Sequence, residues 1–371
     1  MPLLDRKKFI SDLSALISFR TVTGEGQGFD EAFSFIRERL HRDSFVEVIQ
    51  NEGETIFIAS NAKTKEPDIC YLVHVDVVSA HPYQFDMTLE NWMAIGRGVS
   101  DMKFSIPIGY ELLHHLIERK SSLSFALVIT SDEERGGFKG AQYLADVYKM
   151  RPKVLIVPDG GDDFVCINKS KGVCHLKVSS IGVPAHASRP WDGRSALEPL
   201  VMVASKLYSI YREANTSKEW RTTMNIGKFS GGAIINQVPG KAEMLIDFRF
   251  VPEIDSERDL LEMVERLSQE ISTNIKVEMI AYGEPVYVSP EDPILKLFIE
   301  TLKDYTEHKI TIEGAEGSTD ARHIAKHGAV MLMSKPKAGG EHGDREWLDI
   351  DSVLQYGEML AAFLNRFETQ N

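Results

Sequence analysis

The sequence predicts an α/β fold built on a mostly parallel sheet with helices on both faces, interrupted by an inserted α+β domain. The chain has 371 residues, more than one hydrophobic core usually fills. Apolar runs alternate with helical patterns through the first half, which is typical of a parallel sheet. After Lys169 the pattern changes to closely spaced strands with two helices among them.

The first half begins with an amphipathic helix, because charges interrupt the apolar residues of positions 1–19 at helical spacing. A second helix is expected over 106–119, with Ser105 as its N-cap and Pro107 in its first turn. Buried strands are expected at three apolar runs, residues 68–78, 124–131 and 153–157.

The inserted domain is predicted over residues 172–283. Strands are expected at 175–181, 222–229, 242–251 and 275–281, and helices at 193–214 and 256–271. The second helix opens with Ser256 and Asp259 at capping-box spacing. The order β-α-β-β-α-β is the ferredoxin-like pattern. The α/β pattern then returns through residues 293–306 and 329–334 and a closing helix at 352–367, so the first domain comprises residues 1–171 and 284–371.

Composition narrows the possible partners. The 42 basic and 55 acidic residues leave a net charge of −13, the wrong sign for nucleic acid or an anionic membrane. No apolar stretch approaches the roughly 18 residues of a membrane span. Three cysteines without a CxxC pair, and no secretory signal, predict a cytoplasmic protein with reduced thiols.

Each of the three apolar runs ends in side chains that bind metals. The first reaches His74 and Asp76, the second Asp132, Glu133 and Glu134, and the third Asp159. Ligands in an open α/β sheet sit outside the carboxyl ends of its strands. His74 and Asp76 are two residues apart on an extended strand, so they share a face. That places a carboxylate beside an imidazole, as in many metal sites.

Adjacent Glu133 and Glu134 cannot easily point the same way along an extended chain. This favours a division of roles, with one glutamate as a metal ligand and the other as a base acting on water. Asp101 follows a glycine-containing loop that could bring the backbone close to the same sheet edge.

These residues lie in segments that resemble one enzyme family. The segments are LVHVDVV, GRGVSDMK, SDEERGG, VPDGG, GVPAHASRPWDGRSA, GGAIINQVPGKAEMLIDFR, EGSTDAR and GGEHGDREW, from about residue 71 to 346. The chain resembles the co-catalytic zinc metallopeptidases that include aminoacylase, acetylornithine deacetylase, succinyl-diaminopimelate desuccinylase, glutamate carboxypeptidase and peptidase T.

The resemblance implies two zinc ions per subunit, with cobalt or manganese as possible substitutes, bridged by Asp101. It assigns His74 and Asp159 to one ion, and Glu134 and His342 to the other. It further implies that Asp76 holds the His74 imidazole and that Glu133 is the general base and later the acid.

The inserted domain would then serve as a lid and as the contact of a homodimer formed through residues 172–283. The resemblance implies that His186 steadies the oxyanion in the partner subunit's site. Arg249 would pair with a free carboxylate of the substrate; the alternative is a salt bridge with Asp247 or a glutamate. Further candidates to contact the substrate are Asn236, Gly317, Ser318 and Thr319.

The function expected is hydrolysis of an amide bond next to a free carboxylate, in short peptides or N-acyl amino acids. Asp159, where some relatives have glutamate, favours the peptidase and aminoacylase branch. Two alternatives stay open: a tripeptide aminopeptidase that recognises a free amine, and a metal-binding scaffold without catalysis. The presence of every ligand together with Glu133 favours an enzyme.

Overall fold

A computed structural model describes residues 2–317 and 319–370. The described residues divide into two compact units. The first comprises residues 2–169, 286–315 and 319–370, and the second comprises residues 170–285 with 316 and 317.

The strands, in chain order, are β1 (Phe45–Asn51), β2 (Glu54–Ser60), β3 (Ile69–His74), β4 (Thr88–Glu90), β5 (Met93–Ile95), β6 (Phe125–Thr130), β7 (Val154–Val157), β8 (Cys166–Ser170), β9 (Gly172–Ile181), β10 (Thr223–Gly231), β11 (Lys241–Phe250), β12 (Ile275–Gly283), β13 (Val286–Tyr287), β14 (Ile312–Ala315), β15 (Val330–Met333), β16 (Ala338–Gly339) and β17 (Trp347–Asp349).

The helices are α1 (Arg6–Ser18), α2 (Phe29–Glu38), α3 (Ser105–Glu118), α4 (Ala141–Tyr143), α5 (Leu197–Tyr211), α6 (Glu257–Ile271), α7 (Pro293–Asp304), α8 (Ala321–Ala325) and α9 (Ile350–Gln370). None of these helices is both long and apolar enough to cross a bilayer.

The large sheet of the first unit has the strand order β1-β2-β6-β3-β7-β15-β8-β13, with β14 beside β8. Its centre, β6-β3-β7-β15, is parallel, and the neighbours on either side are antiparallel. The parallel strands are apolar over nearly their whole length, as expected of strands buried on both faces. Helices α1, α3, α7 and α9 form one packed group, and α4 with α8 another. The predicted α/β class is confirmed.

A small antiparallel sheet in the same unit has the order β16-β17-β5-β4. Strand β17 pairs with β5 through Leu348 and Ala94, and with β16 through Leu348 and Ala338. This pairing joins a segment after residue 338 to a segment before residue 96, and both segments lead into loops that carry candidate ligands.

The second unit is an antiparallel sheet of order β10-β11-β9-β12 with two helices, α5 and α6. Buried residues alternate along β9 and β11, because one face of the sheet packs on the helices. The chain order β9-α5-β10-β11-α6-β12 is the predicted ferredoxin-like pattern. Ser256 caps α6 in a capping box with Asp259, as predicted.

Local details differ from the sequence predictions in the first unit. Helix α3 begins at Ser105 itself, whose hydroxyl bonds back to the Met102 carbonyl, so the predicted N-cap role of Ser105 is wrong. The first predicted strand ends at His74, well before residue 78. The hairpin β1–β2 and helix α2 were not anticipated. The three cysteines are buried and unpaired.

Candidate active site

The candidate ligands of the first unit come from five separate chain segments. His74 is the last residue of β3, and Asp159 follows β7 by two residues. Glu133 and Glu134 form a short 3₁₀ turn after β6. Because β6, β3 and β7 are parallel neighbours, their carboxyl ends meet at one edge of the sheet.

One cluster of possible ligand atoms contains His74, Asp101 and Asp159. Their nitrogen and carboxylate atoms all lie within 4.8 Å of one another. The Nε2 atom of His74 is 3.0 Å from Oδ1 of Asp101. His74 is buried, so its ring has one fixed orientation toward this cluster.

A second cluster contains Asp101, Glu134 and His342, again within 4.8 Å. The Nε2 atom of His342 lies 3.1 Å from Oδ2 of Asp101 and 3.2 Å from Oε2 of Glu134. Asp101 therefore directs one carboxylate oxygen to each cluster. His342 adopts a left-handed conformation with φ 60°, and the glycine two residues earlier, Gly340, has φ 77°.

Glu133 belongs to neither cluster but lies beside them. Its Oε2 atom is 3.9 Å from Nε2 of His74, and its side chain is largely buried. The 3₁₀ turn directs the two neighbouring glutamates differently, so that Glu134 joins the second cluster. A carboxylate left out of both ligand sets can accept and return a proton.

Asp76 connects the ends of β3 and β6. Its carboxylate accepts the backbone N–H groups of Glu133 and Glu134, each at 3.2 Å, and the hydroxyl of Thr23 at 2.8 Å. Nδ1 of His74 lies closer to the backbone carbonyl of Asp76, at 2.9 Å, than to its carboxylate, at 3.5 Å. A carbonyl acceptor places the proton on Nδ1 and leaves Nε2 for a metal.

The electrostatics of the two clusters suit cations. Burial raises the pKa of Glu134 to about 7, and burial together with the charge of Asp101 raises the pKa of Asp159 to about 6. Burial and the charge of Asp159 also raise the pKa of Glu133 well above its usual value. Crowded carboxylates with raised pKa values mark uncompensated negative charge, which divalent cations would neutralise. Imidazole nitrogens and carboxylate oxygens are also the donors zinc accepts, so the residues fit the metals that the fold implies.

In the second unit, His186 and Asn236 lie side by side on exposed loops. The backbone N–H of Ala187 donates to the carbonyl of Asn236 at 2.9 Å. The N–H of Ser188 donates to Nδ1 of His186 at 3.1 Å. An Nδ1 that accepts a hydrogen bond leaves the proton of the neutral ring on Nε2, where it can be donated outward.

Arg249 lies on β11, on the face opposite the core residues Met244, Ile246 and Phe248. Its Nε atom donates to both carboxylate oxygens of Asp247, at 3.0 and 3.2 Å. The intradomain salt bridge anticipated for Arg249 is therefore present. Within residues 2–317 and 319–370, the terminal guanidinium nitrogens of Arg249 have no hydrogen-bond acceptor.

The segment around residue 318 is divided between the two units. Gly317 is exposed, and Ser318 lies outside the described residues. Thr319 is buried, and its hydroxyl oxygen accepts the backbone N–H of Ala321 at 3.4 Å. The contact with substrate expected of Gly317, Ser318 and Thr319 stays a prediction.

Two buried acidic residues next to the clusters were not singled out in the sequence. Asp320 is buried beside Thr130, whose hydroxyl lies 3.4 Å from its carboxylate. Glu346 is buried under the loop that carries Asp101. No sequence signal marked Glu346, because three of its four hydrogen-bond partners are backbone N–H groups.

The fold and the paired ligand clusters are those of a metal-dependent hydrolase. A family model described as "Peptidase family M20/M25/M40" matches residues 70–366, and the chain belongs to this family. The family resemblance inferred from the sequence is thereby confirmed, and the chain is an enzyme.

Relatives of known name cover nearly the whole chain at low identity. Succinyl-diaminopimelate desuccinylase of Pseudoalteromonas translucida (strain TAC 125) is 23% identical, over 96% of this chain and 97% of its own length. The desuccinylase of Nautilia profundicola is 25% identical, over 89% of this chain and 92% of its own.

Solved structures share the fold. A tripeptidase from Staphylococcus aureus subsp. aureus mu50 superposes with a TM-score of 0.77 at 18% identity, covering 99% of this chain and 100% of the other. An M20 family metallo-carboxypeptidase from Sulfolobus solfataricus gives a TM-score of 0.77 at 17% identity, with the same coverage. At this identity the likeness concerns the fold alone.

Proposed function

We propose that this chain is a dinuclear zinc hydrolase that cleaves an amide bond next to a free carboxylate, in short peptides or N-acyl amino acids. The observation that carries the proposal is the shared carboxylate of Asp101, which directs one oxygen to each of two ligand clusters. Cobalt or manganese would suit the same donors.

In this proposal His74, Asp101 and Asp159 hold one ion, and Asp101, Glu134 and His342 the other. The chemistry that such a pair supplies when bound is polarisation of the amide carbonyl and a lower pKa for water. Glu133 removes a proton from the attacking water and later donates it to the departing nitrogen. The carboxylate of Asp76 keeps Glu133 in place by accepting the backbone N–H of Glu133.

His186 would stabilise the oxyanion that develops on the carbonyl oxygen. Its neutral ring keeps a donor N–H on Nε2, because Nδ1 is occupied by the N–H of Ser188. The contact is proposed to act on the site of a partner subunit, as the family resemblance implies.

Arg249 would bind the substrate's carboxylate through its terminal nitrogens, since Asp247 occupies only Nε. A guanidinium with two free parallel N–H groups matches a carboxylate in a bidentate pair. This contact would limit substrates to molecules with a free carboxylate near the cleaved bond.

A second candidate is a tripeptide aminopeptidase, because Asp247 is a partly exposed carboxylate on the same face of the sheet as Arg249. His175 lies 3.2 Å from Asp247, so this open face of the sheet carries an acidic group between two basic side chains. A carboxylate there could bind the ammonium of a free N-terminus. The structural relatives include a tripeptidase, whereas the named sequence relatives are desuccinylases.

A homodimer through residues 172–283 is part of the proposal. Helix α5 exposes Val201, Met202, Tyr208 and Ile210, and β10 is an edge of its sheet. Exposed apolar groups beside an unpaired strand are typical of protein interfaces. Light scattering should give a dimer mass for the wild type and a monomer mass for Val201→Asp, whereas Val48→Asp on β1 should remain dimeric.

The deciding experiment is amino-acid release by metal-loaded enzyme from a mixed panel. Free dipeptides and tripeptides would be compared with N-acetyl, N-formyl and N-succinyl amino acids, and with C-terminally amidated versions of each. Release that disappears on amidation supports the carboxylate-directed hydrolase. Release from amidated tripeptides supports the aminopeptidase instead, and no release from any substrate contradicts both.

A further inference from the structure

Glu346 is a fully buried carboxylate that makes four hydrogen bonds. Its Oε1 atom accepts the backbone N–H groups of Ser100 at 2.8 Å and Asp101 at 3.0 Å. Its Oε2 atom accepts the N–H of Gly98 at 2.9 Å and Nη1 of Arg97 at 2.8 Å. Both oxygens are therefore saturated by donors from one loop, the loop that ends in Asp101.

Arg97 extends this contact to the loop that carries His342. While Nη1 donates to Glu346, Nη2 donates to the carbonyl of Gly343 at 3.0 Å. A second link runs between the same two loops, because the hydroxyl of Ser100 bonds to Glu341. His342 thus lies between two residues, Glu341 and Gly343, that are each tied to the segment before Asp101.

Glu341 is held in turn by a buried lysine. The Nζ atom of Lys335 lies 2.7 Å from Glu341 and 3.0 Å from Asp162. Lys335 is only 5% exposed, so its ammonium depends on these two carboxylates for its contacts. The loop of residues 340–346 is consequently fixed at both ends against the rest of the first unit.

We propose that Glu346, with Arg97, is a positioning residue that sets the separation between Asp101 and His342. This separation determines the metal affinity of the cluster that these two ligands form with Glu134. The inference rests on the proposed dinuclear function. The His74 cluster uses only one of the two loops, whereas the His342 cluster uses both, so the His342 cluster is the more sensitive to Glu346.

The carboxylate of Glu346 only accepts hydrogen bonds, so the test variant is one that places a donor at the same position. Glu346→Gln keeps the size of the side chain but replaces one oxygen with an NH₂ group. That group meets backbone or guanidinium donors, and two donors cannot bond to each other. The loop must then shift. Loss of a residue that orients a metal ligand typically weakens metal binding by about 10- to 100-fold.

The test is calorimetric titration of metal-free protein with Zn²⁺. The wild type is expected to show two binding events, and His342→Ala identifies the event that belongs to the His342 cluster. Glu346→Gln should lower the Zn²⁺ affinity of that same event by about 10- to 100-fold. The affinity of the other event should fall by a smaller factor. Activity of Glu346→Gln should recover as Zn²⁺ is raised, because mass action refills a weakened site.

Asp12→Asn is the matched control, since Asp12 is a buried carboxylate of the same unit that pairs with Nε of Arg39 at 2.7 Å. It should lower the Tm while both binding events are kept. If Glu346→Gln behaves like this control, or weakens mainly the event that His342→Ala spares, the proposal is wrong. If Glu346→Gln does not fold, Arg97→Lys takes its place, because lysine replaces the two terminal nitrogens that reach Glu346 and Gly343 separately with a single nitrogen.

Failure of the proposed function would be seen separately, in the unmutated protein. A wild type that binds fewer than two Zn²⁺ ions would contradict the dinuclear site itself. A wild type with two events and an unaltered Glu346→Gln profile would contradict only the positioning role.

Discussion

The carboxylate of Asp76 accepts the backbone N–H of Glu133 at 3.2 Å, which ties the proposed base to the strand that carries His74. Asp76→Ala removes this acceptor, so the Glu133 turn and the His74 ring both lose a neighbour. We expect kcat/KM to fall by about 10- to 100-fold, with weaker binding of metal at the His74 cluster. Thr23→Val removes only one hydroxyl from Asp76 and should leave kcat/KM within about threefold of wild type.

Glu133→Ala tests the proposed proton transfer directly. Because Glu133 is outside both ligand clusters, the variant should keep its metal while turnover falls by about 10²- to 10⁴-fold. Mass spectrometry of bound metal and initial-rate kinetics would be measured on the same preparation. Full activity would remove Glu133 from the mechanism, and loss of metal would make it a ligand.

His186→Ala should lower turnover by about 10²- to 10³-fold with metals still bound, as expected for loss of an oxyanion donor. Mixing it with Asp101→Ala chains tests whether the histidine acts across a dimer. After statistical exchange half of the dimers carry one intact site, so about a quarter of wild-type activity should return. Mixtures that stay as inactive as their components would show that His186 acts within its own chain, or not at all.

Arg249→Met should raise KM for substrates with a free carboxylate by about 10- to 100-fold, because a charge-assisted bidentate contact is lost. For amidated substrates, the variant and the wild type should have the same KM. Asp247→Asn is the companion variant: it frees Nε of Arg249 and should not raise KM for carboxylate substrates. A raised KM of Asp247→Asn for free-amine substrates would instead favour the aminopeptidase.

Asp320 predicts a pH dependence of stability in chelator-treated protein. Burial raises its pKa to about 7, and the charge of Asp159 adds to this. In the unfolded chain an aspartate ionises near pH 4, so the folded state binds the extra proton between about pH 4 and 7 and stability falls as the pH rises through that range. Asp320→Asn should therefore raise the Tm by roughly a few degrees at pH 8 and little at pH 4. Asp304 is exposed, so Asp304→Asn should change the Tm equally at pH 8 and at pH 4.

The ligands at strand ends were predictable because parallel strands bring their carboxyl ends together. His74, Asp159 and the Glu133–Glu134 pair were therefore expected at one sheet edge, and they lie there in the structure. His342 was reached only through the family resemblance. It lies on a loop between the very short strands β16 and β17, and no hydrophobic period marks such a loop.

Two kinds of feature escaped the sequence argument. The hairpin β1–β2 turns at Glu52 and Gly53, both with positive φ, and a glutamate is not among the residues that usually signal such a turn. Glu346 was missed because its partners are mostly backbone N–H groups, which every residue but proline carries. A contact of this kind has no signature in residue types.

In the large sheet of the first unit, β15 lies between β7 and β8. In the chain, however, 172 residues lie between Val157, the last residue of β7, and Val330, the first residue of β15. During synthesis on a ribosome, β7 therefore emerges long before the strand that will lie beside it. The second unit is almost continuous in sequence and can complete its own core first. Since His342 and Glu346 follow β15, a nascent chain cannot bring the residues of the His342 cluster together until residue 346 has been made, long after His74, Asp101 and Glu134.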